Sequence, residues 1–207
     1  MKISFLGGGN FGGSLAQLLA QSGHDVVVGL RDASRVRAGA SYRTGTFESA
    51  AIHGEVVIVA IPYQACATTL SAFSAQLDGK IVVDATNPLH DDWSPLLLGQ
   101  QNSAAEELSR LLPRVRLVRA FNTIFDDIIK SVPVEAVSCQ LTAFIAGDDA
   151  AANEVVAAVA RSAGFAPLLT GALSRARYLK AMAHLNIQVA VVHGGGTHAG
   201  FVYRQHL

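Results

Sequence analysis

The stretch "ISFLGGGNFGGSLAQLLAQSG" near the amino terminus constrains the fold more than any other part of the chain. It sets Gly7, Gly9 and Gly12 at G-x-G-x-x-G spacing, directly after a short apolar run and directly before an amphipathic one. Phe11, Leu15, Leu18 and Leu19 fall on one helical stripe, which stops at Gly23. Strand, glycine turn and helix in that order form the phosphate-binding start of a dinucleotide fold. Each glycine has its own task there. Gly7 permits the tight turn, Gly9 lets backbone approach a pyrophosphate, and Gly12 lets the helix lie close to the strand. Unpaired N–H groups near Asn10 and Phe11 then face the phosphates. The competing reading is a tight turn that is structural only.

The rest of the chain repeats the alternation. The runs "ISFL", "VVVG", "EVVIVAI", "KIVVDA", "RVRLVRAF", "LTAFIAG" and "APLLT" are rich in Val and Ile, and several lack polar alternation. Such runs suit parallel strands buried on both faces. Helix-length segments lie between them. One is "AAEELSRLL" with Ser103 as its N-cap, and another is "DDAAANEVVAAVARSAG", stopping at Gly164. The expectation is a doubly wound, mostly parallel α/β sheet of the Rossmann type with seven strands. Residues 173–192 read as one long helix, with Leu179, Met182, Asn186, Val189 and Val192 near one face. A glycine-rich tail, "HGGGTHAGFVYRQHL", follows. Residues 1–170 are therefore expected to form the nucleotide-binding domain, and 171–207 a small C-terminal helix and tail.

A charge pattern selects the nucleotide. In NAD-binding chains of this type the second strand ends in an acid, which bonds the free ribose 2′-hydroxyl. Here it ends in Gly29, and Arg31 and Arg35 follow. A carboxylate there repels a 2′-phosphate, whereas a guanidinium offers it a matching fork of donors. NADP(H) is expected over NAD(H). Asp32 either anchors one of the arginines or points to solvent. Two surface arginines on a solvated loop are the alternative.

Three further strand ends carry marked residues: Ala60-Ile61-Pro62, then Asp84, Thr86, Asn87 and Pro88, then Phe121, Asn122 and Thr123. Each alone is explained by an Asx or proline loop cap. Three on the edge that holds the glycine loop are expected to wall the nicotinamide-ribose site.

Composition removes several classes. Half of the 207 residues are hydrophobic, 15% are charged, and the formal net charge is zero. That suits one well-buried domain and argues against a general nucleic-acid or acidic-membrane surface. Two cysteines without paired spacing, Cys66 and Cys139, argue against a disulfide framework or zinc site and suit a reducing cytosol. No apolar run nears the ~20 residues needed to span a bilayer, and "MKISFLGGG" does not read as a signal peptide.

The segments "FLGGGNFGGSLA", "VVVGLRD", "VVDATNPL", "RAFNTI" and "SRARYLKAMAHLNI" together resemble the NADP-dependent reductases of the deazaflavin coenzyme F420. They are similar too to the oxidoreductase domain of the six-transmembrane metalloreductases. The resemblance implies a Rossmann domain with a small C-terminal part, and hydride transfer between NADPH and a flavin or deazaflavin co-substrate. By position it puts Gly7 to Gly12 on the pyrophosphate and Arg31 and Arg35 on the 2′-phosphate. Ala60, Ile61 and Pro62 then line the cofactor, with Asn87 and Asn122 on the nicotinamide side.

Stacked rings exchanging hydride need little acid–base help, and no catalytic side chain is assigned. "HGGG" at His193 lacks any accompanying G-x-S-x-G. His193, His198 and His206 show no fixed ligand set, so no metal is expected. Lys180 reads as a solvated helix residue and His184 as a core hydrogen-bonder. Two other functions stay open: an NADP(H)-binding regulator without turnover, and an imine or carbonyl reductase using Tyr178 or His184 as proton donor. A small-molecule hydride acceptor and a homodimer built on the segment from Leu173 onward are the expected partners.

Overall fold

The computed structural model describes residues 1–32, 38–131 and 140–205. Among them, eight strands form one sheet in the order β3-β2-β1-β4-β5-β6-β7-β8. They are β1 (Lys2–Leu6), β2 (Asp25–Gly29), β3 (Arg43–Gly45), β4 (Val56–Val59), β5 (Ile81–Asp84), β6 (Arg116–Arg119), β7 (Thr142–Gly147) and β8 (Ala166–Gly171). Strands β1 to β6 are parallel. β7 runs antiparallel to β6, through Val118↔Gly147 and Arg119↔Ala146, and β8 is parallel to β7. The chain winds outward from β1 in one direction through β2 and β3, and in the other from β4 onward. The crevice beyond the carboxyl ends of β1 and β4 is thus the topological switch point of a Rossmann-type sheet.

The helices are α1 (Asn10–Gln21), α2 (Phe47–His53), α3 (Tyr63–Ala72), α4 (Ser74–Leu77), α5 (Ala104–Leu111), α6 (Asp126–Ser131), α7 (Ala150–Ser162) and α8 (Ala176–Ile187). Strand alternation sorts them into two outer layers. Ile3, Phe5, Val28, Ile58, Val83 and Val118 point to the face covered by α1, α6 and α7. Leu6, Val27, Val57, Val59, Val82 and Leu117 point to the face covered by α2, α3, α4 and α5. A smaller cluster, built on Phe144, Ala146 and Leu179, seats α8 against β7 with help from Phe201 of the tail. No helix among the described residues is long and apolar enough to cross a membrane.

Seven of the eight strands fall on the apolar runs. The eighth, β3, is an expectation missed: three edge residues, "RTG", with no apolar side chain to announce them. The helix expected over 173–192 begins as a 3₁₀ turn (Leu173–Arg175), continues as α8, and widens into a π-helical turn (Gln188–Val192). Ser103 caps α5 by accepting from Glu106 N–H, and α7 stops before Gly164, whose φ is +82°.

Candidate functional site

The site begins at the turn from β1 into α1. Gly7 has φ +108° and donates its N–H to Gly29 O at 3.1 Å. A Cβ on Gly7 would lie 2.4 Å from Ala60 O, and one on Gly12 would lie 2.3 Å from Gly7 O. Both glycines are therefore set by the close crossing of α1 over β1 and β4. Gly9 differs: a Cβ there meets nothing within 4 Å. It is the N-cap of α1, without a side-chain capping bond. The first intrahelical bond runs from Gly13 N–H to Gly9 O, so the N–H groups of Asn10, Phe11 and Gly12 precede it.

The helices differ in how they are capped. Thr46, Ser103 and Asp149 cap α2, α5 and α7 with side-chain oxygens. α1 and α3 have neither such a cap nor an acid in the first turn. Both start at the same cavity of about 450 Å³, whose walls include their N-cap residues Gly9 and Pro62. Two helix ends with orphan donors and no acid in their own first turns make a ready anion site. Arg31 and Asp32 also line this cavity. Arg35 lies outside the described residues. Gly29 has a steric reason: a Cβ there would sit 2.9 Å from Phe47 and 3.0 Å from Ala50.

Ala60 and Ile61 are shared with a second cavity of about 480 Å³, so the two form one cleft along the carboxyl edge of the sheet. Asn10, Phe11, Asn87 and Asn122 line the second cavity, as do Trp93, Phe125, Asp126, Asp127 and Thr197. Gly12 lines neither cavity and acts by packing.

The amides of the second cavity are fixed from behind. Asp84 and Arg119 are register partners on β5 and β6, both fully buried, and paired at 2.6 Å. Asp84 Oδ1 accepts from Thr86 N–H and Oγ1–H at 2.9 and 2.7 Å. Arg119 Nη2 donates to Asn87 Oδ1 at 3.2 Å, and Asn87 Nδ2 donates to Asn122 O at 2.8 Å. Asn122 Nδ2 donates to Leu179 O at 3.0 Å, tying α8 to the cleft. Asn122 Oδ1 is buried without a partner. The preceding residue, Phe121, holds φ +64°, a costly conformation for a side chain of its size.

Sequence reasoning did not single out Arg119 as a site residue, nor Trp93, Asp126, Asp127 and Thr197. A signal existed for the first, since "VVD" and "LVR" end adjacent apolar strands with opposite charges. None existed for Trp93, whose place is set by the loop after β5. Trp93 is half exposed, with φ +67°. Asp127 accepts from Thr197 Oγ1–H at 2.6 Å, and that bond, followed by the nearby Lys130, holds its carboxyl below the usual range.

The residues weighed as proton donors stand off the cleft wall. Tyr178 is 63% exposed and lines a separate cavity against β8 and the tail. His184 bonds the backbone of Pro88, and burial, then Lys180, lowers its pKa. Lys180 is not the solvated residue expected: its Nζ donates to Gly99 O and Asn102 O at 3.1 and 3.0 Å, pinning the loop before α5. His193 and His198 are exposed, and His206 lies outside the described residues.

Sheet order, glycine turn and cleft together define a Rossmann-type dinucleotide-binding protein. Residues 2–88 match the family model described as "NADP oxidoreductase coenzyme F420-dependent". The F420-dependent NADP reductase of Methanothermobacter thermautotrophicus is 30% identical over 218 residues, 92% of this chain and 90% of that protein. The metalloreductase STEAP3 of Rattus norvegicus is 35% identical over 183 residues, 87% of this chain; the match spans only 36% of that relative's length. A solved structure from Arthrobacter sp. FB24, provisionally assigned as an F420-dependent NADP reductase, superposes with a TM-score of 0.86. It is 27% identical and covers 99% of this chain and 100% of its own. The chain belongs to the family of coenzyme F420-dependent NADP oxidoreductases.

Proposed function

We propose that the protein moves hydride between NADPH and a flavin-like or deazaflavin ring, binding both in the continuous cleft. The observation that carries this reading is the junction, through Ala60 and Ile61, of two unlike cavities. The first offers the uncapped starts of α1 and α3 with Arg31. The second offers aromatic and amide walls. In this reading the N–H groups of Asn10 and Phe11 bind the pyrophosphate, Arg31 binds the 2′-phosphate, and Ala60, Ile61 and Pro62 flank the ribose. NADPH, when bound, supplies the hydride. Asn87 and Asn122 orient the ring end through the Arg119–Asp84 anchor, and Phe11, Trp93 and Phe125 exclude water around it.

Residues 1–170 serve as the nucleotide-binding domain, and 171–207 close the ring end. The working form in this reading is a cytosolic homodimer. NADPH oxidation measured with coenzyme F420, flavins, ferric chelates and carbonyl compounds tests the function. Turnover confined to ring acceptors is expected. Tight NADPH binding with no turnover on any ring acceptor would leave the regulator reading in its place.

A further inference from the structure

Two walls of the first cavity are held in different ways. The start of α1 is fixed by packing, since that helix buries seven of its twelve residues. The other wall, Ala60-Ile61-Pro62, is the three-residue link from β4 to α3. The sheet fixes its first residue, through Ala60 N–H to Leu6 O at 2.9 Å. Its last residue leads into α3, which buries only Cys66 and Leu70 of its ten. Two apolar anchors, both beyond the first turn, leave the start of a helix free to shift. Polar tethers on its first two residues hold it instead. Tyr63 donates its phenol O–H to Glu107 on α5, and Gln64 Nε2 donates to Leu89 O at 3.1 Å. Glu107 is itself braced, its other oxygen accepting from Asn102 Nδ2 at 2.6 Å. Asn102 in turn accepts from Arg110 through Oδ1 at 2.9 Å and from Lys180 through its carbonyl at 3.0 Å. Burial, then the bond to Glu107, push the Tyr63 phenol above its usual range, so it stays a donor through neutral pH. Tyr63 lines neither cavity of the cleft.

Resting on the reading of the first cavity as the nucleotide site, we infer that Tyr63 and Glu107 are a positioning pair, whose hydrogen bond holds the Ile61-Pro62 wall in place for the cofactor without touching it. A bond from a phenol to a carboxylate is charge-assisted, strong enough to set the direction of a weakly packed helix end. The wall serves a part of the cofactor that NADPH and NADH share. The pair therefore acts on both nucleotides, unlike Arg31, which acts on one.

Tyr63→Phe removes one oxygen and keeps the ring. It is expected to raise the dissociation constants of NADPH and NADH alike by roughly three- to tenfold in fluorescence titrations. KM for NADPH should rise with them, while kcat with a ring acceptor is nearly retained. Glu107→Leu is expected to match this loss, and Glu107→Gln, which can still accept from the phenol, to recover most of it. The Tyr63→Phe/Glu107→Leu double variant should lose no more than either single one. Should Glu107→Leu fail to fold, Tyr63→Phe decides alone, because it adds no volume. Unaltered nucleotide affinity in Tyr63→Phe, additive losses in the double variant, or a Glu107→Gln variant as weak as Glu107→Leu overturns the inference. A wild-type protein that binds neither nucleotide would remove the reading of the first cavity, and this inference with it.

Discussion

Arg31 is one side chain on a cavity wall, and its effect should be confined to one phosphate. Arg31→Ala is expected to weaken NADPH binding by about 1.5–3 kcal/mol, tenfold or more, and to leave NADH binding nearly unchanged. Parallel titrations with the two nucleotides check this, and equal losses would remove the 2′-phosphate assignment. Arg119 acts differently, because it is buried to 1% exposure against Asp84. Arg119→Met strands a carboxylate in the core and should cost about 3–5 kcal/mol in denaturant unfolding. Adding Asp84→Leu should return part of that loss, since the stranded charge goes with it. These residues also show what a sequence reveals at this scale. Glycines and arginines at a turn declare themselves by spacing. Arg119 does not, because its meaning depends on Asp84 being its neighbour across two strands. Gly29 was legible as a missing acid but not as a contact, since the approach of Phe47 and Ala50 is a tertiary fact.

Among the elements, α1 carries the tightest constraint. Gly12→Ala puts a methyl 2.3 Å from the Gly7 carbonyl and 2.9 Å from Ala60. The helix must lift from the strand, taking the N–H groups of Asn10 and Phe11 with it. A loss of about 1–3 kcal/mol in stability is expected, together with weaker binding of NADPH and NADH alike. That joint loss separates it from Arg31→Ala. Elements with a buried face were legible: Val- and Ile-rich runs marked seven strands, and Ser103 and Gly164 marked helix ends. β3 was not, because three edge residues with little burial carry no periodic signal. The long terminal helix was legible in extent but not in its changes of winding.

For the whole molecule, the outer side of the terminal helix leaves apolar surface uncovered. Tyr178, Leu185, Val189 and Val192 are 63, 59, 47 and 61% exposed, and with half-buried Met182 they recur at alternating spacings of four and three. That repeat suits a second helix of the same kind. A dimeric mass is expected by light scattering at micromolar concentration, and a monomeric one for Leu185→Asp/Val189→Asp. A monomeric wild type would remove the proposal. The junction of β6 and β7, only two residue pairs long, matters at this scale too. It is a crease across an otherwise well-laddered sheet. Amide protons beyond it, in β7, β8 and α8, are expected to exchange with solvent as one cooperative unit, earlier than those of β1, β4 and β5. Because α8 brings Ala183, Asn186 and Ile187 to the second cavity, such an opening would unroof the ring end while the phosphate end stays folded. A saturating nucleotide should therefore protect the first body more than the second, and the hinge of the molecule would lie within its sheet.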